Sequence, residues 1–188
     1  MNACSSATLA HFAVTIIGKD RPGIVADTAE VLFKLGCNVE DSSCTMLGGE
    51  FAMILIVSHS KPFAKKTLEA EFALKNAGNG LSAYVRSLKD DEVDYQRPSG
   101  ELCLVSVYGS DQPGIVYRVT RELADRGVNI TDLNTKLIGS KEEPVYVLML
   151  EAALPEGMSP DDASLLLENL KKELSVEISV RLITPVSL

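Results

Sequence analysis

Gly18-Lys-Asp-Arg-Pro-Gly-Ile-Val25 returns 91 residues later as Gly109-Ser-Asp-Gln-Pro-Gly-Ile-Val116. At the same offset Leu32 matches Leu123, Gly36 matches Gly127, Asn38 matches Asn129 and Asp41 matches Asp132. Ten of the 27 positions from 18 to 44 are thus identical under one ungapped shift, where average residue usage gives about one or two. Self-similarity at a fixed period marks one supersecondary unit used twice. The two halves of the chain are therefore expected to share one fold.

Working outward, each half reads the same way. Leu9 to Gly18 is a β-branched and apolar run ended by a turn signal, the mark of a strand. Pro22 is expected to open a helix, since it needs no N–H there. Ile24, Thr28, Leu32 and Leu35 recur at helical spacing, and Gly36 ends that helix. Asn38–Leu47 and Phe51–Ser58 read as strands joined by a Gly48-Gly49 hairpin. Ala64, Leu68 and Phe72 mark a second helix, stopped by Gly78-Asn79-Gly80, and Leu81–Leu88 is the last strand. In the second half, Leu102–Gly109 is a strand, Ile115–Arg126 a helix, and Asn129–Ile138 and Pro144–Ala152 strands. Ser159-Pro160-Asp161-Asp162 carries a capping hydroxyl, a proline at the first position and acids in the first turn, a strong helix start. Ala163, Leu166, Leu167, Leu170 and Leu174 form its buried stripe. Val176, Ile178, Val180 and Leu182 alternate with polar residues, as in a half-buried antiparallel strand.

Strand–helix–strand–strand–helix–strand is the split-βαβ, ferredoxin-like unit. The expected fold is α+β: two βαββαβ units, each an antiparallel four-stranded sheet covered by two helices. Expected boundaries are 1–88 and 101–188. The acidic, Pro-Ser-Gly-ending stretch 89–100 is the linker. A unit of about 90 residues buries a low fraction of its surface, so edge or face pairing is expected, between the units or between chains.

Composition narrows function. The net charge of −8 and pI of about 4.8 disfavour direct nucleic-acid binding, which needs clustered Lys and Arg. No apolar run has the ~20 residues of a membrane span. The start of the chain lacks the pattern of a secretory signal, so a cytoplasmic protein is expected. Cys4, Cys37, Cys44 and Cys103 have no Cys-x-x-Cys spacing, and His11 and His59 are the two histidines. Free thiols are expected, with no metal and no cofactor. Nucleotide loops and the Gly-x-Ser-x-Gly elbow are absent from the sequence. His11 and His59 have no counterparts in the second half, and Asp41 and Asp132 lack a visible acid partner, so no catalytic residues are expected.

The repeated Asp-x-Pro-Gly is the candidate site. It sits on the turn before the first helix of each unit, at Asp20–Gly23 and Asp111–Gly114. A helix N-terminus offers unpaired amides and a partial positive charge, which suit a carboxylate or phosphate. Gly23 and Gly114 leave room for close approach, and a carboxylate beside that end could accept an ammonium. Together these suit an amino acid. The alternative is that each Asp merely caps its helix and each Gly merely permits the turn. Asn38 and Asn129 carry donors and an acceptor. Their alternative is a turn residue in left-handed geometry at the helix exit.

Asp20-Arg-Pro-Gly-Ile-Val25 with Gly36-Cys-Asn38, and Asp111-Gln-Pro-Gly-Ile-Val116 with Gly127-Val-Asn129, resemble the ACT domain. The resemblance runs from about residue 9 to 184. Two ACT units with no catalytic domain resemble the glycine cleavage system transcriptional repressor group. The resemblance implies regulatory ligand-binding modules, often for amino acids, that pair side by side, a homodimer or other homo-oligomer among the arrangements. By position it implies contacts from Asp20, Gly23, Ile24 and Asn38, and from Asp111, Gly114, Ile115 and Asn129. Asp would take the ammonium, Asn would bridge, and the amides after Gly would hold the carboxylate. The group implies action through a protein partner, a regulator or an enzyme. The other expectation is a structural or protein-interaction module with no small ligand. In ACT-containing enzymes the catalytic domain is a separate unit, and none is expected here.

Overall fold

In the computed structural model, which describes residues 9–93, 100–140 and 143–183, the duplicated stretch folds into the same strand–turn–helix twice. The first unit runs β1 (Ala10–Lys19), α1 (Ile24–Lys34), β2 (Cys37–Leu47), β3 (Glu50–His59), α2 (Lys65–Asn76), β4 (Leu81–Leu88) and a single turn α3 (Asp90–Val93). The second runs β5 (Leu102–Gly109), α4 (Ile115–Ala124), β6 (Asn129–Gly139), β7 (Pro144–Ala153), α5 (Pro160–Leu174) and β8 (Val176–Leu182). The chain divides into Met1–Tyr95 and Gln96–Leu188.

The sheets are antiparallel, with strand orders β2-β3-β1-β4 and β6-β7-β5-β8. Alternation decides their faces. Phe12, Val14 and Ile16 of β1 are buried with Phe51, Met53, Leu55 and Val57 of β3. Onto this face pack Ile24, Val31 and Leu32 of α1 and Leu68 and Phe72 of α2. In the second unit Cys103, Val105 and Val107 meet Ile115, Val119 and Leu123 of α4 and Ala163, Leu167, Leu170 and Leu174 of α5. Each unit thus has its own core, and the opposite face of each sheet is left open.

Local sequence explains the element ends. Gly48 (φ 60°) and Gly49 (φ 86°) supply the two left-handed residues of a two-residue hairpin. Ser159 caps α5 in a reciprocal capping box with Asp162, with Pro160 at the first helical position. β2 and β6 are outer strands. Each carries one extra residue, Glu40 and Thr131, where the pairing register shifts.

Two expectations are corrected. Pro22 does not open α1: it lies in the turn, and Gly23 is the N-cap. The left-handed cap at Gly23 (φ 92°) leaves Pro22 in the preceding turn, so the helix starts two residues later, at Ile24. α4 ends at Ala124, two residues short of Arg126, because Asp125 caps it and Gly127 turns left-handed. The expected linker begins with α3, held to β4 by Glu92, which accepts from Arg86 Nη1 (2.5 Å) and from the Lys89 amide (2.9 Å). Residues 94–99 of it lie outside the described residues.

Candidate functional site

The β1–α1 turn is built by glycine geometry. Gly23 (φ 92°) and Gly114 (φ 100°) are left-handed N-caps with no side-chain capping hydrogen bond. The reading in which Asp20 and Asp111 cap the helices is therefore corrected, since a glycine holds that position. Close approach is not what demands glycine here. A Cβ on Gly114 would meet open space, and one on Gly23 would come no nearer than 3.6 Å to Arg21. The demand is the backbone angle, which costs an L-residue about 1–2 kcal/mol.

The first intrahelical bonds run from Asp27 N to Gly23 O (2.8 Å) and from Arg118 N to Gly114 O (2.9 Å). The amides of Ile24, Val25 and Ala26 precede that bond and keep their donors free of the helix ladder. Asp20 is exposed beside them. Its own amide donates to Gly49 O (2.9 Å), which holds the turn against the β2–β3 hairpin.

Between α1 and the far end of β2 lies a groove of about 970 Å³. Asp20, Arg21, Gly23 and Ile24 line one end, and Cys44, Met46 and Phe51 line the wall. Arg21 is not free to swing through it. Its guanidinium pairs with Asp27 (2.8 Å) and donates to Pro22 O (3.1 Å). Lys75 of α2 also reaches Asp27 (3.0 Å) and Glu30 (2.6 Å), and Lys34 reaches Glu30 (2.7 Å). The Arg21 and Lys75 contacts hold the Asp27 carboxyl below its usual range. Lys34, then Lys75, bring Glu30 down to about 2.

In the second unit Gln112 replaces Arg21, and its side-chain amide donates to Leu174 O, tying the turn to the end of α5. Asp111 and Gly114 are exposed and Ile115 is buried in the core.

Asn38 and Asn129 are strand residues, paired with Ser58 and Ala153. Among the described residues Ser175 is the one non-glycine with positive φ, so the left-handed-turn reading of both asparagines is corrected. That geometry falls instead on Gly36 and Gly127. Within one unit the structure brings together Asp20, Gly23 and Ile24 but not Asn38. Asn38 is the second residue of β2, and the groove meets β2 at Cys44–Met46, about 20 Å further along the strand. Asn129 lines a different groove of about 410 Å³ with Tyr117, Thr120 and Arg121. Sequence reading missed Cys44, Met46 and Phe51, whose closeness to the turn arises from strand pairing.

Cys37, Cys44 and Cys103 are free thiols; burial pushes Cys37 and Cys103 up. Cys4 lies outside the described residues. Among the described residues no cluster of three metal-ligating side chains occurs, and no helix is long and apolar enough to cross a membrane.

Comparison with known proteins agrees with this architecture. The ACT domain profile matches residues 10–85 and again 101–181. The chain is 28% identical over 171 residues to the glycine cleavage system transcriptional repressor of Escherichia coli (strain K12), covering 91% of this chain and 87% of that protein. A crystal structure of a protein of unknown role from Galdieria sulphuraria superimposes with a TM-score of 0.79 at 27% identity, over 94% of this chain and all (100%) of that one. A candidate glycine cleavage system transcriptional repressor of known structure shares the fold, with a TM-score of 0.74 at 22% identity over 95% of this chain and 100% of that one. Two ACT units in tandem account for both halves, and the chain belongs to the ACT domain family.

Proposed function

We propose that this chain is a non-catalytic regulatory protein that senses an amino acid, or a ligand of similar chemistry, at the β1–α1 turn and passes the signal to a protein partner. Its likeness to the glycine cleavage repressor supports a part in regulation. One observation carries the ligand reading: the exposed Asp20 carboxylate stands beside the unpaired amides of α1 at the mouth of an apolar-walled groove. In that frame Asp20 accepts the ammonium, the amides after Gly23 hold the carboxylate, and Met46 and Phe51 face the side chain. Asp111, Gly114 and Ile115 do the same in the second unit.

Asn38 stands outside this groove, at the other end of β2. Ligand then shifts a pairing equilibrium, by no more than its differential affinity for the two states. The acidic surface favours a protein partner over direct contact with nucleic acid.

The test is a thermal-shift screen of the amino acids at millimolar levels on the full chain and on Asp20→Ala and Asp111→Ala. One or two amino acids should stabilise the wild-type chain and fail on the variant. A flat response to all of them overturns the reading.

The outer strands favour a second reading, a module with no small ligand. β2 and β6 are eleven residues long and exposed along nearly their whole length, which suits strand addition by a protein partner. Under it, Asp20→Ala and Asp111→Ala leave partner binding unchanged.

A further inference from the structure

The open face of the second unit's sheet is not a copy of the first. Pairing register aligns them: Asp41 faces Ile56, Ser43 faces Ile54 and Thr45 faces Ala52 in the first unit. At the same places in the second, Asp132 faces Glu151, Asn134 faces Met149 and Lys136 faces Val147. A central-strand isoleucine has become a glutamate directly opposite an aspartate. Like charges so placed weaken a sheet, and a position that breaks packing logic marks a surface shaped for something else.

Around these residues lies a groove of about 460 Å³. Its floor is apolar, from Leu104, Val147, and the part-exposed Tyr108 (41%) and Met149 (39%). Asp132 and Glu151 close one end. Asn134 donates to Asp132 Oδ2 (2.7 Å) and fixes that carboxylate while leaving its other oxygen open. Lys136 stands at the other end, four residues along the same face, about 13 Å by strand rise. Among the described residues Asp132, Glu151 and Lys136 form no ion pair. An apolar floor with a few convergent polar groups, at this volume, is how small-ligand pockets are built.

We propose that this groove is a second binding site, separate from the β1–α1 turn, for an extended zwitterion with an apolar middle, the chemistry of a short apolar peptide. The ammonium sits between Asp132 and Glu151, the apolar body lies on Met149 and Tyr108, and the carboxylate meets Lys136. Three extended residues span about 10 Å, which suits the separation of the charged ends once side chains reach inward.

The test is amide NMR of the full chain titrated with the tripeptide Leu-Ala-Leu, its N-acetylated form and its C-terminal amide. Saturable shifts should fall on residues 104–108, 132–138 and 147–151. Blocking either end of the probe should weaken binding at least tenfold, as should Glu151→Gln or Lys136→Met. Shifts confined to the Gly23 and Gly114 turns, affinity indifferent to both variants, or no shifts at all would overturn the proposal. So would concentration-dependent broadening of this face that the probe leaves unaltered, which marks a second copy as the occupant. The amino-acid screen on the turn reports separately, so either reading can fail alone.

Discussion

The Asp20 amide donates to the Gly49 carbonyl across 2.9 Å, joining the β1–α1 turn to the β2–β3 hairpin. That one bond sets the geography of the candidate site. It places Asp20 at the Cys44–Met46 end of β2 and leaves Asn38 at the opposite end of the same strand. Within the first unit, the groove beside Asp20 therefore does not reach Asn38.

The cap glycines are the first target. Gly23→Ala and Gly114→Ala each put a Cβ on a left-handed backbone, at φ 92° and 100°. Each should cost about 1–2 kcal/mol, and the corresponding Asn variant less. Urea unfolding measures this. A neutral Gly23→Ala would show that the turn relaxes to another backbone without loss.

The charge network on α1 gives a pH dependence. Asp27 and Glu30 are both held down by their cationic partners, Glu30 from 4.5 to about 2. A folded-state value below the unfolded one means stabilisation that is full above the unfolded value and fades as pH falls through the folded one. Stability of the first unit should therefore drop between pH 4.5 and about 2, less steeply in Glu30→Gln. Both groups are solvent-exposed, so high salt should shrink the difference. Acid titrations of the two proteins by circular dichroism, at low and high salt, check both statements.

At the second unit, Ser159→Ala removes the hydroxyl that accepts from the Asp162 amide (3.2 Å). The expected loss is about 1 kcal/mol. Faster amide exchange in the first turn of α5 is the local signature, and α1 should be untouched.

Leu32 and Leu123 occupy the same place in the repeat and are each 1% exposed or less. Leu32→Ala and Leu123→Ala should each cost about 2–5 kcal/mol. Because the two cores share no residue, the loss of amide protection should be largest in β1 and β3 for the first variant. For the second it should be largest in β5 and β7. Equal loss in both halves would mean that the units unfold as one.

Much of the fold was legible because it is written locally. The alternation in β1, the Gly48-Gly49 turn and the Ser159-Pro160 start each act within a few residues. The strand limits of β4 and β5 match the sequence reading, Leu81–Leu88 and Leu102–Gly109. The N-caps of α1 and α4 were less legible. Asp20 and Asp111 have the chemistry of caps, yet the chain turns left-handed at the glycine three residues later, and the helix starts from there. Asn38 has the chemistry of a turn residue, yet Gly36 takes the left-handed angle and releases Asn38 to the strand. In each case a nearby glycine bore the strain, and the polar residue was left exposed.

By itself, the sequence determined that one βαββαβ unit occurs twice, much of the buried stripes of α1, α4 and α5, and that Asp-x-Pro-Gly stands before the first helix of each unit. These follow from period, side-chain volume and backbone preference, all short-range along the chain. Tertiary structure alone decided that Cys44, Met46 and Phe51 join Asp20 around a groove, that Asn38 lies at the far end of its strand, and that Glu151 opposes Asp132. Those relationships depend on which strands pair and in what register, and side chains brought together that way can be 20 or more residues apart.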